Sequence, residues 1–513
     1  MKFAQIKTAM IDNSELIITD LEITILNGLP TFEISGLNNY KGQQCFSRVR
    51  AALKNNGFTI PCGRIVCHLT RDIKNGEIRS LDLALAVAIL LADRQITNVN
   101  HSMWFIIGQL SLSGKVLPVN GVFALSRDER IINCRWIIPF KNQAELKCED
   151  YSDKYVVDNL NQAIEIIENK NIDKFMAEHT RSDPLKIKPE PIYELVGQPQ
   201  AERALLIALA GRHPLLLIGS PGSGKTTLAN QAVHYMPQLD PDKLDQVRRI
   251  YSMYGVWNEQ IDQGIIRPYQ APHHTVTQMA LIGGGHDLVP GLITYAHNGI
   301  LFLDELSEFK PNILELLRQP LSEKTIELSR KNISVKYPAD FLLIAATNPC
   351  PCGYRLENDQ RCQCGAAEIK RFKRRLSGPI MDRFQISAIM NDLTQTDLIK
   401  TAENNLLPQT KINKIQQLIA KAQEMQSERC NAHKISFEYN GQIMIQMFFD
   451  FFAINIQALN HFNQITQHHL LSPRSYLALL RVARTIADLE QREEVSEAHL
   501  HEALLLRANP DIY

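Results

Sequence analysis

Gly219, Ser220, Pro221, Gly222, Ser223, Gly224, Lys225 and Thr226 spell GSPGSGKT, the pattern G-x-x-x-x-G-K-[ST], between the apolar run LLLI and the helix-forming run TTLANQAV. Strand, glycine-rich loop and helix in that order form a phosphate cradle. The glycines let backbone N–H groups curl around phosphate oxygens, and the helix start, with Thr227 in its first turn, adds positive potential. Lys225 is expected to reach the β and γ phosphates, and Thr226 to offer its hydroxyl to magnesium. The implied ligand is a nucleoside triphosphate.

A second apolar run, ILFLDE, ends in Asp304 and Glu305. At the carboxyl end of a buried strand the aspartate can hold the magnesium shell, and the glutamate can polarise an attacking water as general base. A third run, FLLIAATN, ends at Asn348, an amide suited to orienting that water. Arg383, in SGPIMDRF, follows the basic run IKRFKRR; Arg474 lies in the first turn of a helix that Ser472 caps and Pro473 opens. Either guanidinium can stabilise charge spread over a transferring phosphoryl group, and either can equally be a solvated or ion-paired surface arginine.

Four of the ten cysteines crowd together as C-x-C-x9-C-x-C, at Cys350, Cys352, Cys362 and Cys364. Residues i and i+2 of extended backbone face one side, so each pair can present two thiolates, and the loop between them can close a tetrahedral structural zinc site. Free thiols in a surface loop are the alternative. The chain between Lys225 and Asp304 exceeds what one helix and one strand need, so an insertion is expected around Tyr251 to His297. It carries Arg267, Tyr269, His273 and His274 beside the glycines Gly283 to Gly285, a loop able to touch nucleic acid, although packed histidines fit the same residues. The stretch TIELSRKNISVKYP alternates apolar and polar residues on both sides of SRKN and is expected to form a β-hairpin with Arg330 and Lys331 at its tip. Those charges suit a polyanion, or simply an exposed basic turn.

The elements that must position these residues follow from the patterning. In 513 residues, 55 Lys and Arg balance 55 Asp and Glu, so no global field draws the chain to a polyanion and any nucleic-acid contact must be local. Hydrophobic residues at 45% and charged ones at 21% exclude wholesale disorder. The cysteines are too sparse for a disulfide scaffold. The run Leu83 to Ala92 is about half a membrane helix, and the start MKFAQIKTAM lacks a signal peptide's apolar stretch, so a cytoplasmic protein with no membrane partner is expected. Residues 1–180 mix short alternating runs with one apolar helix and are expected to form an α+β domain. The proline-rich stretch 181–192 is expected to be a tether. Residues 193–390 alternate buried strands with helices, the pattern of a doubly wound parallel sheet, and 391–513 keep only helical spacing.

With these residues assembled, the chain resembles the ComM/YifB family of magnesium-chelatase-related AAA+ ATPases. The strings that carry the resemblance are VGQPQAERALLIALAG, RPYQAPHHT, IGGGHDLVPG, AHNGILFLDEL, NPCPCGY, LSGPIMDRF and SPRSYLALLRVARTIADL, spread over nearly the whole chain. It implies a homohexameric ring with ATP and magnesium at subunit interfaces and a helical lid. It also implies Asn348 as first sensor, Arg383 as the finger reaching a neighbour's γ-phosphate, and Arg474 as second sensor on the helical lid. The implied activity is that of a DNA helicase driving branch migration on single-stranded and branched DNA during recombination of transforming DNA, alongside other recombination proteins. A chelatase-type or protein-remodelling chaperone is the alternative, and an ATP-dependent protease a third. The N-terminal region resembles the Lon protease domain in IGQLSLSGKVLPVNGV, but Phe123 occupies the place of the dyad lysine and Ser80 is offset, so a non-catalytic domain is expected.

Overall fold

A computed structural model of the protein describes residues 2–12, 15–73, 78–98, 103–146, 153–177, 195, 197–330, 333–355, 361–376, 378–393, 406–435, 438–443, 451–466 and 472–507. The stretch 181–192, expected to be a tether, lies outside these residues, as does Lys331.

The three apolar runs form the centre of a five-stranded, wholly parallel sheet in the order Tyr269–Gln270, Ile300–Leu303, Leu342–Thr347, Leu215–Gly219, Ile386–Met390. Buried on both faces, the three central strands have no polar alternation. Their side chains divide by parity. Leu215 and Leu217 pack with the helices Pro199–Gly211 and Lys225–Tyr235, whereas Leu216 and Ile218 join Ile313, Leu314 and Leu317 on the opposite face. Each fully buried leucine or isoleucine contributes about 1.5–3 kcal/mol, so the sheet is a rigid platform for whatever its strand ends carry.

The described C-terminal elements are helical, chiefly Gln409–Ala432, Ile456–Thr466, Pro473–Leu489 and Glu497–Leu505. The third begins as its sequence dictates: Ser472 Oγ accepts from Ser475 N, and Pro473 takes the first turn. These helices share a core with the sheet through Ile419, Leu480 and Ala483. Where they meet it, buried His213 bridges Gln385 (Nδ1, 2.7 Å) and the Thr485 hydroxyl (Nε2, 2.7 Å), and burial pushes its pKa down to about 4.

The N-terminal residues build a mixed seven-stranded sheet in the order Phe32–Ser35, Arg64–Leu69, Glu15–Leu26, Phe3–Asp12, Trp104–Ile106, Arg135–Pro139, Lys154–Val157. The apolar helix Asp82–Ala92 packs against it, with Asp82 the exception to its greasy composition. That buried carboxylate accepts two hydrogen bonds from Arg48 (2.8 and 2.7 Å) and one from Leu110 N (3.3 Å), which satisfies it. Phe123 lies against Trp257, with Arg248 over its ring. Its N–H donates to Glu145 and to the Ser252 hydroxyl. Ser252 belongs to the helix Pro241–Met253 and also accepts Gly121 N at its carbonyl, so the region expected to be a separate domain is joined to the nucleotide-binding part by a buried polar seam. Burial raises the Glu145 carboxyl there above its usual range. Ser80 Oγ donates to the Ala9 carbonyl (2.9 Å), a hydroxyl spent on structure.

Candidate nucleotide site

The cradle forms where the strand Leu215–Gly219 gives way to the helix Lys225–Tyr235. Gly224 has φ 90°, so its conformation requires glycine, and a Cβ there would also push the Leu195 side chain, whose Cδ1 lies 2.5 Å away. Lys225 Nζ donates to the carbonyls of Gly219 (2.8 Å) and Ser220 (2.7 Å) and to Asn348 Oδ1 (3.3 Å). Burial lowers its pKa, opposed by Asp304, Asp392 and Glu305. Thr226 Oγ1 donates to Asp304 Oδ2 (2.8 Å), so a hydroxyl and a carboxylate oxygen from different elements converge. That all-oxygen pair fits magnesium, which when bound would neutralise charge on the phosphates. Glu305 adopts φ 51°, a left-handed conformation uncommon for a residue with a side chain, and its N–H donates to Asp304 Oδ1 (2.9 Å). Its carboxylate, more than half exposed, lies 3.5 Å from His274 Nδ1. Lys225, Thr226, Asp304, Glu305 and Asn348 are thus brought together at the carboxyl ends of three adjacent parallel strands.

Arg383 and Arg474 are elsewhere. With Arg481 they line a cavity of ≈ 510 Å³ that also holds Pro214, Phe341 and Gln385, residues just before the amino ends of three strands of the same sheet. Burial, then the nearby Arg474 and Arg318, lower the Arg383 pKa. Arg481 is pushed down to about 10 by burial and by Arg474. A five-residue strand spans about 16 Å at ~3.3 Å per residue, so these guanidiniums stand a sheet's length from the cradle of their own chain.

Three residues without a motif signal support the cradle. Gln198 donates to the carbonyls of Asn391 (2.6 Å) and Ser223 (3.4 Å) and accepts from Asn391 N (3.1 Å), pinning the loop to the end of the strand Ile386–Met390. Asp392 accepts from the Ser220 hydroxyl and from Arg361 (3.1 Å). An acid just past a buried strand was the available clue. His274 was legible only as a candidate for another role.

The four cysteines converge. Sγ–Sγ separations are 3.3 Å for Cys350–Cys352, 3.8 Å for Cys350–Cys362 and 3.6 Å for Cys352–Cys362, and Cys364 joins them within 4.8 Å. Tetrahedral zinc with Zn–S near 2.3 Å sets its sulfurs about 3.8 Å apart, so the set fits zinc. The loop abuts the cradle, since a Cβ on Gly353, φ 89°, would lie 2.5 Å from Pro221 Cδ.

The insertion and the hairpin form side by side. Thr325–Arg330 pairs antiparallel with Ile333–Pro338, Arg330 opposite Ile333, so the expected hairpin forms with Ser329 and Arg330 still in the strand. Gly283–Gly284 pairs with Val289–Pro290, and Arg330 Nη1 donates to Gly285 O (3.4 Å). His273 is exposed, its ring 4.0 Å from that of His274. Arg267 departs from expectation. It is 5% exposed and donates to the carbonyls of Pro237 (2.7 Å), Asn298 (3.5 Å) and Gln238 (3.5 Å). Its guanidinium ties backbone together inside the protein, so the DNA contact expected of it does not arise in this conformation.

A parallel sheet with this strand order, a lysine-bearing phosphate loop and an Asp-Glu pair ending the strand two places away across the sheet define an AAA+ ATPase. Family models described as magnesium chelatase, subunit ChlI, match residues 192–398; subunit ChlI of Mg-chelatase, residues 21–142; and the ChlI C-terminal part, residues 409–507. The chain is 33% identical over 490 residues to protein YifB of Escherichia coli, covering 95% of this chain and 94% of that one. It is 32% identical over 495 residues to competence protein ComM of Haemophilus influenzae, with the same coverage. Lon protease 2 of Bacillus subtilis is 26% identical over 193 residues, 33% of this chain and 35% of that one. The chain belongs to the ComM/YifB family of magnesium-chelatase-related AAA+ ATPases. Among the described residues no helix is long and apolar enough to cross a membrane.

Proposed function

We propose that this protein is a cytoplasmic, magnesium-dependent DNA motor that assembles as a homohexameric ring and drives branch migration during recombination of incoming DNA. The observation that carries the reading is the division of the hydrolytic residues between opposite ends of one sheet. Lys225, Thr226, Asp304, Glu305 and Asn348 occupy one end, Arg383 and Arg474 the other. A phosphoryl-transfer site needs cationic stabilisation of its transition state, worth roughly three to five powers of ten in rate, and a second copy of the chain supplies it when its amino-end face meets the cradle.

In this reading the loop and helix start Gly219–Thr227, Lys225 among them, hold the triphosphate, Thr226 and Asp304 hold magnesium, Glu305 accepts the proton of the attacking water, and Asn348 orients it. Arg383 and Arg474 act on the neighbour's γ-phosphate. The hairpin with Arg330 and Lys331, the glycine hairpin it touches, and exposed His273 face the central channel, where repetition turns a neutral chain into a positive annulus for single strands. His274, between the channel loop and Glu305, is a positioning residue. The cysteine loop, holding structural zinc through Cys350, Cys352, Cys362 and Cys364, braces the cradle at Pro221.

ATP turnover measured with single-stranded, duplex and four-way-junction DNA tests the reading. Stimulation by junctions or single strands is expected. Turnover stimulated only by unfolded polypeptide would assign the chain to protein remodelling, as its likeness to chelatase subunits allows.

A further inference from the structure

On the lid, His461 Nδ1 lies 2.5 Å from Glu497 Oε1, and His501 Nε2 lies 3.3 Å from that same oxygen. We propose that His461, Glu497 and His501 form a second, zinc-class metal site that staples two lid helices, with water completing the coordination.

Glu497 and His501 are one turn apart on one helix face, and His461 reaches them from the helix Ile456–Thr466. The three donor atoms all lie within 4.8 Å of one another. With no cation present, one carboxylate oxygen must accept N–H from two imidazoles at once. With a divalent ion all three groups ligate through lone pairs, and two imidazoles with one carboxylate favour zinc over magnesium or calcium, which take oxygen.

The supporting backbone is already fixed. Asn455 Oδ1 caps the first helix through Gln457 N (2.9 Å). Ser496 N donates to His499 Nδ1 (3.0 Å) at the start of the second, and His499 Nε2 meets Glu490 (3.1 Å). The two helix starts are joined where Ile454 bridges Val495 and Val495 N donates to Ala453 O (3.0 Å). Phe462 and Leu500 are buried in the common core, so ligation requires only side-chain adjustment. All three ligands are partly exposed, which gives the ion a path in and leaves one position for solvent.

The test is calorimetric titration of the chelator-treated, untagged full chain with zinc chloride, beside Glu497→Gln and a His461→Ala/His501→Ala variant. The cysteine set is present in all samples, so any zinc it binds cancels. The native chain is expected to take up one equivalent more than either variant, with affinity at this site weakened more than about 100-fold in Glu497→Gln, beyond the 10–100-fold of an outer-shell change. Zinc should also raise the unfolding midpoint of the native chain more than that of the variants. Glu497→Gln keeps size and polarity, so it reports even if the double variant folds poorly. Equal stoichiometry and equal zinc-dependent midpoints in native chain and Glu497→Gln would leave only an ion-pair array and overturn the proposal.

Discussion

Lys225 makes three hydrogen bonds to the groups that frame the cradle, so its ammonium is held in place before any phosphate arrives. Lys225→Ala is expected to abolish nucleotide binding, read by titration with a fluorescent ATP analogue. Glu305→Gln should bind ATP normally and lose about 10²–10⁴-fold in kcat, the usual contribution of a general base; unimpaired turnover would remove Glu305 from that role. His274→Ala separates positioning from binding. An exposed pair contributes at most about 1 kcal/mol, so kcat should fall no more than about fivefold while KM for ATP stays unchanged. Most of these residues were legible because a phosphate loop is a local arrangement in which spacing alone specifies which backbone groups converge. His274 and Arg267 were not. One histidine or arginine in an insertion reads alike whether it meets a carboxylate, buried carbonyls or a polyanion, and only its surroundings decide.

At the scale of elements, the hairpin Thr325–Pro338 was readable from period-two alternation on both sides of a short polar turn. Replacing Arg330 and Lys331 by alanine should weaken single-strand binding and lower the slope of log affinity against log salt by about 1.4, at ~0.7 per phosphate contact. An unaltered slope takes the hairpin out of the DNA path. The clustering of the four cysteines was readable, but the contact of their loop with the phosphate loop was not, since Gly353 and Pro221 are distant in sequence. Cys352→Ser should release zinc, as metal analysis would show, and weaken ATP binding through the loosened cradle; a metal-free variant with native ATP affinity would deny the bracing. The junction of sheet and lid should be acid-sensitive. His213 titrates near 4 when folded and near 6.5 when unfolded, so protons favour the unfolded chain. Its contribution is neutral above about pH 6.5 and costs on the order of 3 kcal/mol as pH falls to 4. Unfolding midpoints measured between pH 7.5 and 5 should fall, and less steeply in His213→Gln.

At the scale of the whole molecule, Lys225, Asp304 and Glu305 lie at one end of the sheet and Arg383 and Arg474 at the other, and the proposed hydrolytic site needs both. Lys225→Ala and Arg383→Ala should each be inactive, yet a mixture should regain turnover, because an intact cradle can then meet an intact arginine across a subunit boundary. No recovery on mixing would place Arg383 in the service of its own chain. The sequence by itself determined the phosphate loop, the acidic pair, the cysteine set, the parallel-sheet class and the lid's helical character. Each of these is written in nearest-neighbour spacing or in the period of burial, and both are set by backbone geometry over a few residues. Tertiary structure alone decided that Arg383 and Arg474 lie across the sheet from Lys225, that Ser252 docks on Glu145, and that Gln198 and Asp392 secure the cradle. These juxtapositions join residues separated by tens to hundreds of positions. They exist only because burying both faces of the sheet forces particular helices, and the side chains they carry, to one end or the other.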